Sequence, residues 1–283
     1  MQKLRVVFIG GLTNGAIVHR YLIRNRYVEV VGAVTYAADH PGAIDAIPDS
    51  HRTGSVRPHL DELLQLAPDL IMVAGWSELL PQALFDLPPM GCIGFHPSKL
   101  PLDRGRSVIA WQLEEGYEET ALTMFYYSDI PDGGDIIGQD RVPIAPNDHV
   151  ADILRKMDRA TTNLMRAYFP LLRMGKAPRR PQDINAGNFR RLRTNRDSQI
   201  DWATNSRDIY NKIRAISHPY PGAEGRIGEE RYNIQDAECL AAFPFGEHLV
   251  PGRLVATLHD ATKIVRTRDG FIHLKKLRKL EQP

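Results

Sequence analysis

Cysteine is scarce in this 283-residue chain, with Cys92 and Cys239 as its only two. They lie far apart in sequence, so neither a disulfide framework nor a cysteine-based metal site has the ligands it needs. Both read as packing residues. His19, His40, His51 and His59 occur without metal-ligand spacing, and no metal is expected. Charge of one sign is also lacking: 36 Lys and Arg against 34 Asp and Glu leave +2, which gives no overall electrostatic case for nucleic acid. No apolar run approaches the roughly 18 residues needed to span a bilayer. Residues Met1 to Arg5 lead directly into an apolar strand with no signal-peptide core, so a cytoplasmic protein without membrane contact is expected.

What is present reads as a folded α/β chain. Val6 to Ile9, the Gly10-Gly11-Leu12-Thr13-Asn14-Gly15 loop and Ala16 to Ile23 form a strand, a glycine-rich turn and a helix. Such a turn offers backbone N–H groups to a phosphate, making Gly11, Thr13 and Asn14 candidate substrate contacts. Equally, a tight strand-to-helix turn needs glycine in any protein. Val28 to Thr35 and Asp69 to Ala74 read as further strands, separated by a polar connection from Tyr36 to Pro58 and a short helix from His59 to Leu66. A long amphipathic helix is expected over 149–174, capped at Asn147-Asp148. Residues 175–198 mix Pro, Gly, Asn and Arg without periodicity and read as a linker between domains at 1–174 and 199–283.

Two stretches carry chemistry. In Gly91 to Arg106 a strand-like run ends at His96, and Pro97, Pro101 and Arg104-Gly105 follow at once, so the imidazole sits at a strand terminus facing a loop. Open α/β sheets place their chemistry there. In Ser128 to Ile137 the sequence Asp132-Gly133-Gly134-Asp135 holds a carboxylate on a tight turn between two strands. A histidine at one strand end and an aspartate on a neighbouring turn can form an acid/base pair. Lys99, Arg104 and Arg106 lie beside His96 in sequence and are candidate charge-assisted contacts to a diphosphate; bracing of the loop is an equal role for Arg104.

The His96-Pro97-Ser98-Lys99-Leu100-Pro101 run with Arg104-Gly105, and the Asp132-Gly133-Gly134-Asp135 turn, resemble the signature segments of the 10-formyltetrahydrofolate-dependent formyltransferases. Ile200-Asp201-Trp202, Ile209-Tyr210-Asn211-Lys212-Ile213-Arg214-Ala215 and Pro219-Tyr220-Pro221-Gly222-Ala223 are similar to the start of that family's small second domain. The resemblance implies a Rossmann-like, mostly parallel sheet followed by a smaller C-terminal open β-barrel of OB-like type. It implies 10-formyltetrahydrofolate as formyl donor, no metal, His96 and Asp132 as catalytic residues, and folate contacts at Trp76, Ser77, Leu79, Leu80, Asp129, Gly133 and Asp135. For Trp76 a place in the core is an equal reading. The chain departs from the pattern at one position: the family carries an Asn two residues before the histidine, where its amide binds the formyl oxygen, and here that residue is Gly94. Substitution of the donor by another group is expected, with Ser77, a backbone N–H, a water or a cationic His96 as candidates.

For the acceptor, the Tyr36 to Pro58 connection holds Asp39, Asp45 and Asp49 against Arg52, which speaks against tRNA. The expectation is therefore a sugar N-formyltransferase acting on a nucleotide-linked amino-deoxysugar for surface polysaccharide or lipopolysaccharide O-antigen synthesis, as a homodimer without nucleic-acid partners. The alternatives are formylation of methionyl-tRNA or of a siderophore-type amine, and, in another class, a non-catalytic folate- or nucleotide-binding module.

Overall fold

The computed structural model describes residues 2–44 and 51–281. The first half alternates strands and helices: β1 (Leu4–Gly10), α1 (Leu12–Ile23), β2 (Val28–Thr35), β3 (His51–Arg52), α2 (Leu60–Gln65), β4 (Leu70–Ala74), α3 (Ala83–Asp86) and β5 (Cys92–His96). Then come β6 (Arg104–Gly105), α4 (Val108–Glu114), β7 (Glu119–Tyr126), β8 (Ile136–Pro143), α5 (Val150–Arg173) and β9 (Phe189–Arg190). The chain ends with α6 (Ser206–Ile216) and five strands, β10 (Ala223–Ile227), β11 (Glu230–Leu240), β12 (Leu254–Thr257), β13 (Lys263–Arg266) and β14 (Phe271–Lys279).

A seven-stranded sheet has the order β3-β2-β1-β4-β5-β7-β8. Its first five strands run parallel, and β7 joins β5 antiparallel with Gly94 opposite Phe125 and His96 opposite Thr123. The continuous apolar runs of β1 and β4 are what a parallel strand covered on both faces requires, and Val6 to Ile9 and Leu70 to Ala74 are buried throughout. Strand order reverses between β1 and β4, so the carboxyl ends of these strands flank a switch point, where open sheets hold their ligands. The second sheet is antiparallel, in the order β10-β11-β14-β13-β12. The fold is thus α/β with a Rossmann-like sheet and a C-terminal antiparallel sheet domain.

Several boundaries differ from expectation. Helix α1 begins directly after Gly11 rather than at Ala16, and the run read as the third strand is the fourth. The polar connection contains the two-residue β3, which its composition conceals; its Asp45 and Asp49 lie outside the described residues. At α5 the Asp152 carboxylate accepts from the His149 N–H at 2.9 Å, while Asp148 accepts from the Ala145 N–H at 2.6 Å, so Asp152 closes the first turn. Cys92 is buried in the main core, but Cys239 is exposed, against its reading as a packing residue, because β11 turns it to the surface.

Contacts divide the chain into two units that are discontinuous in sequence. The first comprises residues 1–105, 121–142 and 155–189; the second comprises 106–120, 143–154 and 190–283. Within the second, Arg191 and Arg193 both lie over the Trp111 ring, and Arg190 forks onto Glu115 with both contacts at 2.6 Å. Buried Arg214 spends its guanidinium on Asn211 Oδ1 at 2.8 Å and the Asp148 carbonyl at 2.9 Å, the pairing a charge needs away from water. Among the described residues no helix is long and apolar enough to cross a membrane.

Candidate active site

His96 closes β5 and is buried. Its Nε2 lies 2.8 Å from the Asp103 carbonyl, which can only accept, so Nε2 carries the hydrogen and Nδ1 is left as the exchangeable nitrogen. Asp132 Oδ1 stands 3.5 Å from Nδ1. The structure thus brings together the histidine and the aspartate that lie 36 positions apart in sequence.

Each of these groups is held from behind. Asp103 adopts a left-handed backbone at φ 52° and is buried; its N–H donates to Asn188 Oδ1 at 2.7 Å, and Asn188 Nδ2 donates to Asp103 Oδ1 at 2.8 Å. This reciprocal clasp aims the Asp103 carbonyl at the imidazole. Asp132 is also left-handed, at φ 55°, a conformation Asp tolerates better than most residues. Its Oδ2 accepts from the Gly105 N–H at 2.9 Å, and Gln182 Nε2 donates to the carbonyls of Asp132 at 2.9 Å and Gly134 at 2.6 Å. Under the loop, Thr123 Oγ1 donates to the Ser98 carbonyl at 2.6 Å, and Gln139 Nε2 donates to the Leu100 carbonyl at 3.0 Å. Asn188 and Gln182 come from the stretch read as linker, and no local sequence signal marks them.

Because Asn188 acts on His96 only through a carbonyl, it is a positioning residue. Asn188→Ala is expected to cost about 1–3 kcal/mol of stability, the usual consequence of leaving buried polar groups unpaired. It is also expected to lower kcat more than it raises KM, and Asn188→Asp, which sets a second carboxylate against that of Asp103, restores none of the loss. Thermal melts with steady-state kinetics check both; an alanine variant that melts lower with kcat intact removes the positioning role.

Other candidate residues fall in several environments. Trp76 stacks on Tyr36 with centroids 4.4 Å apart and donates to Glu78 Oε2 at 3.3 Å. Ser77 is exposed at the same strand end and is bonded to the Tyr36 hydroxyl, its N–H donating at 2.9 Å. Leu80 is buried in the core beside Leu84 and Cys92, whereas Leu79 is 70% exposed, so the two do not line one surface. Asp129 is exposed; Asp135 meets Arg179 at 3.7 Å. Gly133 lies against Ile130 within the turn.

The phosphate reading of the glycine loop meets a physical obstacle. The Gly11 N–H already donates to the Ala74 carbonyl at 3.1 Å and that of Leu12 to the Gly42 carbonyl at 2.7 Å. Asn14 Oδ1 accepts from the Gly15 N–H at 3.0 Å, while Thr13 is exposed. Gly11 is there because the Tyr36 ring and the Gly42 carbonyl press on it, and Gly10 and Gly15 because the Ala74 carbonyl does. Lys99 and Arg106 are exposed, and Arg104 donates to the Ile184 carbonyl at 3.2 Å, which is the bracing role. Against the expectation of no ligand spacing, His51, His59 and Glu62 do cluster, with one candidate ligand atom from each within 4.8 Å of the others. The two imidazoles stack at 4.2 Å, an arrangement that sets their lone pairs side by side rather than convergent.

Comparison with known proteins agrees with this architecture over both halves. Residues 5–168 match the formyl transferase family, and residues 193–282 match the formyl transferase C-terminal domain. The chain belongs to the formyl transferase family. It is therefore an enzyme that transfers formyl groups, in a family that uses folate. A methionyl-tRNA formyltransferase of Syntrophus aciditrophicus is 30% identical, over 97% of this chain and 91% of its own length. One of Halalkalibacterium halodurans is 32% identical, over 94% of this chain and 87% of its own. Among solved structures, HypX of Aquifex aeolicus in complex with tetrahydrofolic acid shares the fold at TM-score 0.71 and 20% identity; the match takes in 99% of this formyltransferase and 45% of the HypX chain.

These relatives overturn the expectation of a nucleotide-linked aminosugar as acceptor and, with it, the exclusion of a nucleic-acid partner, since their names carry tRNA. The charge count over Tyr36 to Pro58 misled because it left out Arg57 and because phosphate-binding cations need not sit in that one connection.

Proposed function

We propose that this formyltransferase moves the formyl group of 10-formyltetrahydrofolate onto the amino group of methionyl-tRNA. The observation that carries the reading is identity of 30–32% along nearly the whole length of two methionyl-tRNA formyltransferases. The site supports the chemistry. As the amine attacks the formyl carbon, Nδ1 of His96 takes its proton, directly or through a water held at Asp132. The Asp132 carboxylate balances the imidazolium, and the same proton is returned to the folate nitrogen as the bond to carbon breaks. The Asp103 carbonyl keeps the ring in the one tautomer that leaves Nδ1 free to do this.

The test is formylation of charged initiator tRNA by the purified chain with 10-formyltetrahydrofolate. Expected are formylmethionyl-tRNA, tetrahydrofolate in equal amount, and tRNA affinity that falls by about 10³ or more between 50 and 200 mM salt, as several phosphate contacts dictate. Turnover confined to small amines, with salt-insensitive tRNA binding, overturns the proposal.

A further inference from the structure

Residues 94 and 96 of β5 point to the same face of the sheet, so a side chain at position 94 would stand beside the imidazole. At Gly94 that space is taken. A Cβ built there would fall against the Tyr127 ring, with its Cδ2 and Cζ both at 3.2 Å and Cε2 nearer still. Tyr127 follows the end of β7, and its N–H donates to the Cys92 carbonyl at the start of β5 at 2.8 Å, from where its ring reaches Gly94 in mid-strand. There the ring is fixed by Phe125, stacked at 5.5 Å and 14°, and by Phe85 at 6.1 Å. It packs against both apolar clusters that flank the site, one containing Leu80, Leu84 and Cys92 and the other Leu100 and Ile136. Burial, with smaller contributions from Cys92, Asp132 and Tyr36, pushes the phenol well above its ordinary range, so it stays protonated. Among the described residues its hydroxyl has no hydrogen-bond partner.

A neutral O–H donor with no protein partner among the described residues, on a ring held against Gly94 two residues before His96, is what a formyl-transfer site needs where oxygen becomes negative. We propose that the Tyr127 hydroxyl donates a hydrogen bond to the formyl oxygen and stabilises the tetrahedral oxyanion, with Gly94 serving to admit the ring. As the amine adds, the carbonyl π pair moves onto this oxygen, and it returns as the bond to the folate nitrogen breaks. Tyr127 keeps its proton throughout, while His96 carries the one that moves. This role rests on the folate-donor reading above and is independent of which amine is the acceptor.

Tyr127→Phe keeps the ring and removes only the donor. Two readouts on the full chain test it. The first is kcat for methionyl-tRNA formylation, expected to fall by about 10²–10³ with the KM for folate within a few-fold, as for the loss of one oxyanion donor. The second is the infrared stretch of a ¹³C-labelled formyl group on the bound donor without acceptor. It is expected to be lowered by the phenol in the wild type and to return towards the free value in the variant. A variant whose stretch matches the wild type overturns the proposal, whether or not its turnover falls; so does a kcat within about threefold of wild type. If the wild type leaves methionyl-tRNA unformylated yet the stretch responds to Tyr127→Phe, the acceptor reading falls and the role of Tyr127 stands.

Discussion

His96→Ala is expected to lose about 10²–10⁴ in kcat, the range that a positioned acid/base contributes. The geometry makes this loss specific to proton movement. Nε2 is committed to the Asp103 carbonyl at 2.8 Å, and Nδ1 stands 3.5 Å from Asp132, so no other nitrogen in this pair can exchange a proton. The fold should survive, since the ring closes a strand rather than filling the main core. The orphaned Asp103 carbonyl costs about 1–3 kcal/mol, read as a modest fall in Tm. Single-turnover formyl transfer and a thermal melt separate the two effects. Rates near wild type would remove His96 from the chemistry.

Gly134→Ala is expected to lose more of both stability and activity than Gly133→Ala. The difference lies in what each added methyl meets. At Gly134 a Cβ would overlap the Tyr126 carbonyl oxygen, with the Tyr126 carbon at 2.9 Å and that of Tyr127 at 3.3 Å, all backbone. At Gly133 its nearest neighbours are the Ile130 Cγ2 at 2.6 Å, Cβ at 2.8 Å and carbonyl oxygen at 3.2 Å; the Cγ2 can turn aside and the Cβ cannot, so this clash is milder than the one at Gly134 but not absent. Relieving the first clash moves the turn bearing Asp132 away from β5, at about 3 kcal/mol or more, since overpacking against rigid surroundings costs at least the upper part of the usual range. Melting and kcat measured on the two variants decide the matter. Equal behaviour would show that the turn has slack.

The main strands were legible in the sequence because parallel strands covered on both faces demand unbroken apolar runs, which Val6 to Ile9 and Leu70 to Ala74 provide. The two-residue strands β3, β6 and β9 were not, since two residues carry no periodicity. At the site, residue chemistry and turn signals pointed to His96 and Asp132. Their supports stayed hidden for two reasons. Asp103 acts through its carbonyl, which every residue type possesses, and Asn188 reaches it from 85 positions away. Tyr127 left one indirect trace: a glycine in the middle of a buried strand marks the close approach of something, but cannot name it. The acceptor was misread because a local charge tally was asked to report on a macromolecular surface.

The interleaving of the two units bears on how a ribosome can deliver this enzyme. Residues 106–120 and 143–154 belong with a unit whose remainder starts only at Arg190. Helix α4, with Trp111 on it, therefore leaves the exit tunnel well before Arg191 and Arg193 have been polymerised. Its buried face packs against α6, which follows later still, so during that interval it lacks this cover. Pausing of synthesis near residue 180, or early termination there, should yield a nascent chain that recruits chaperones through this segment.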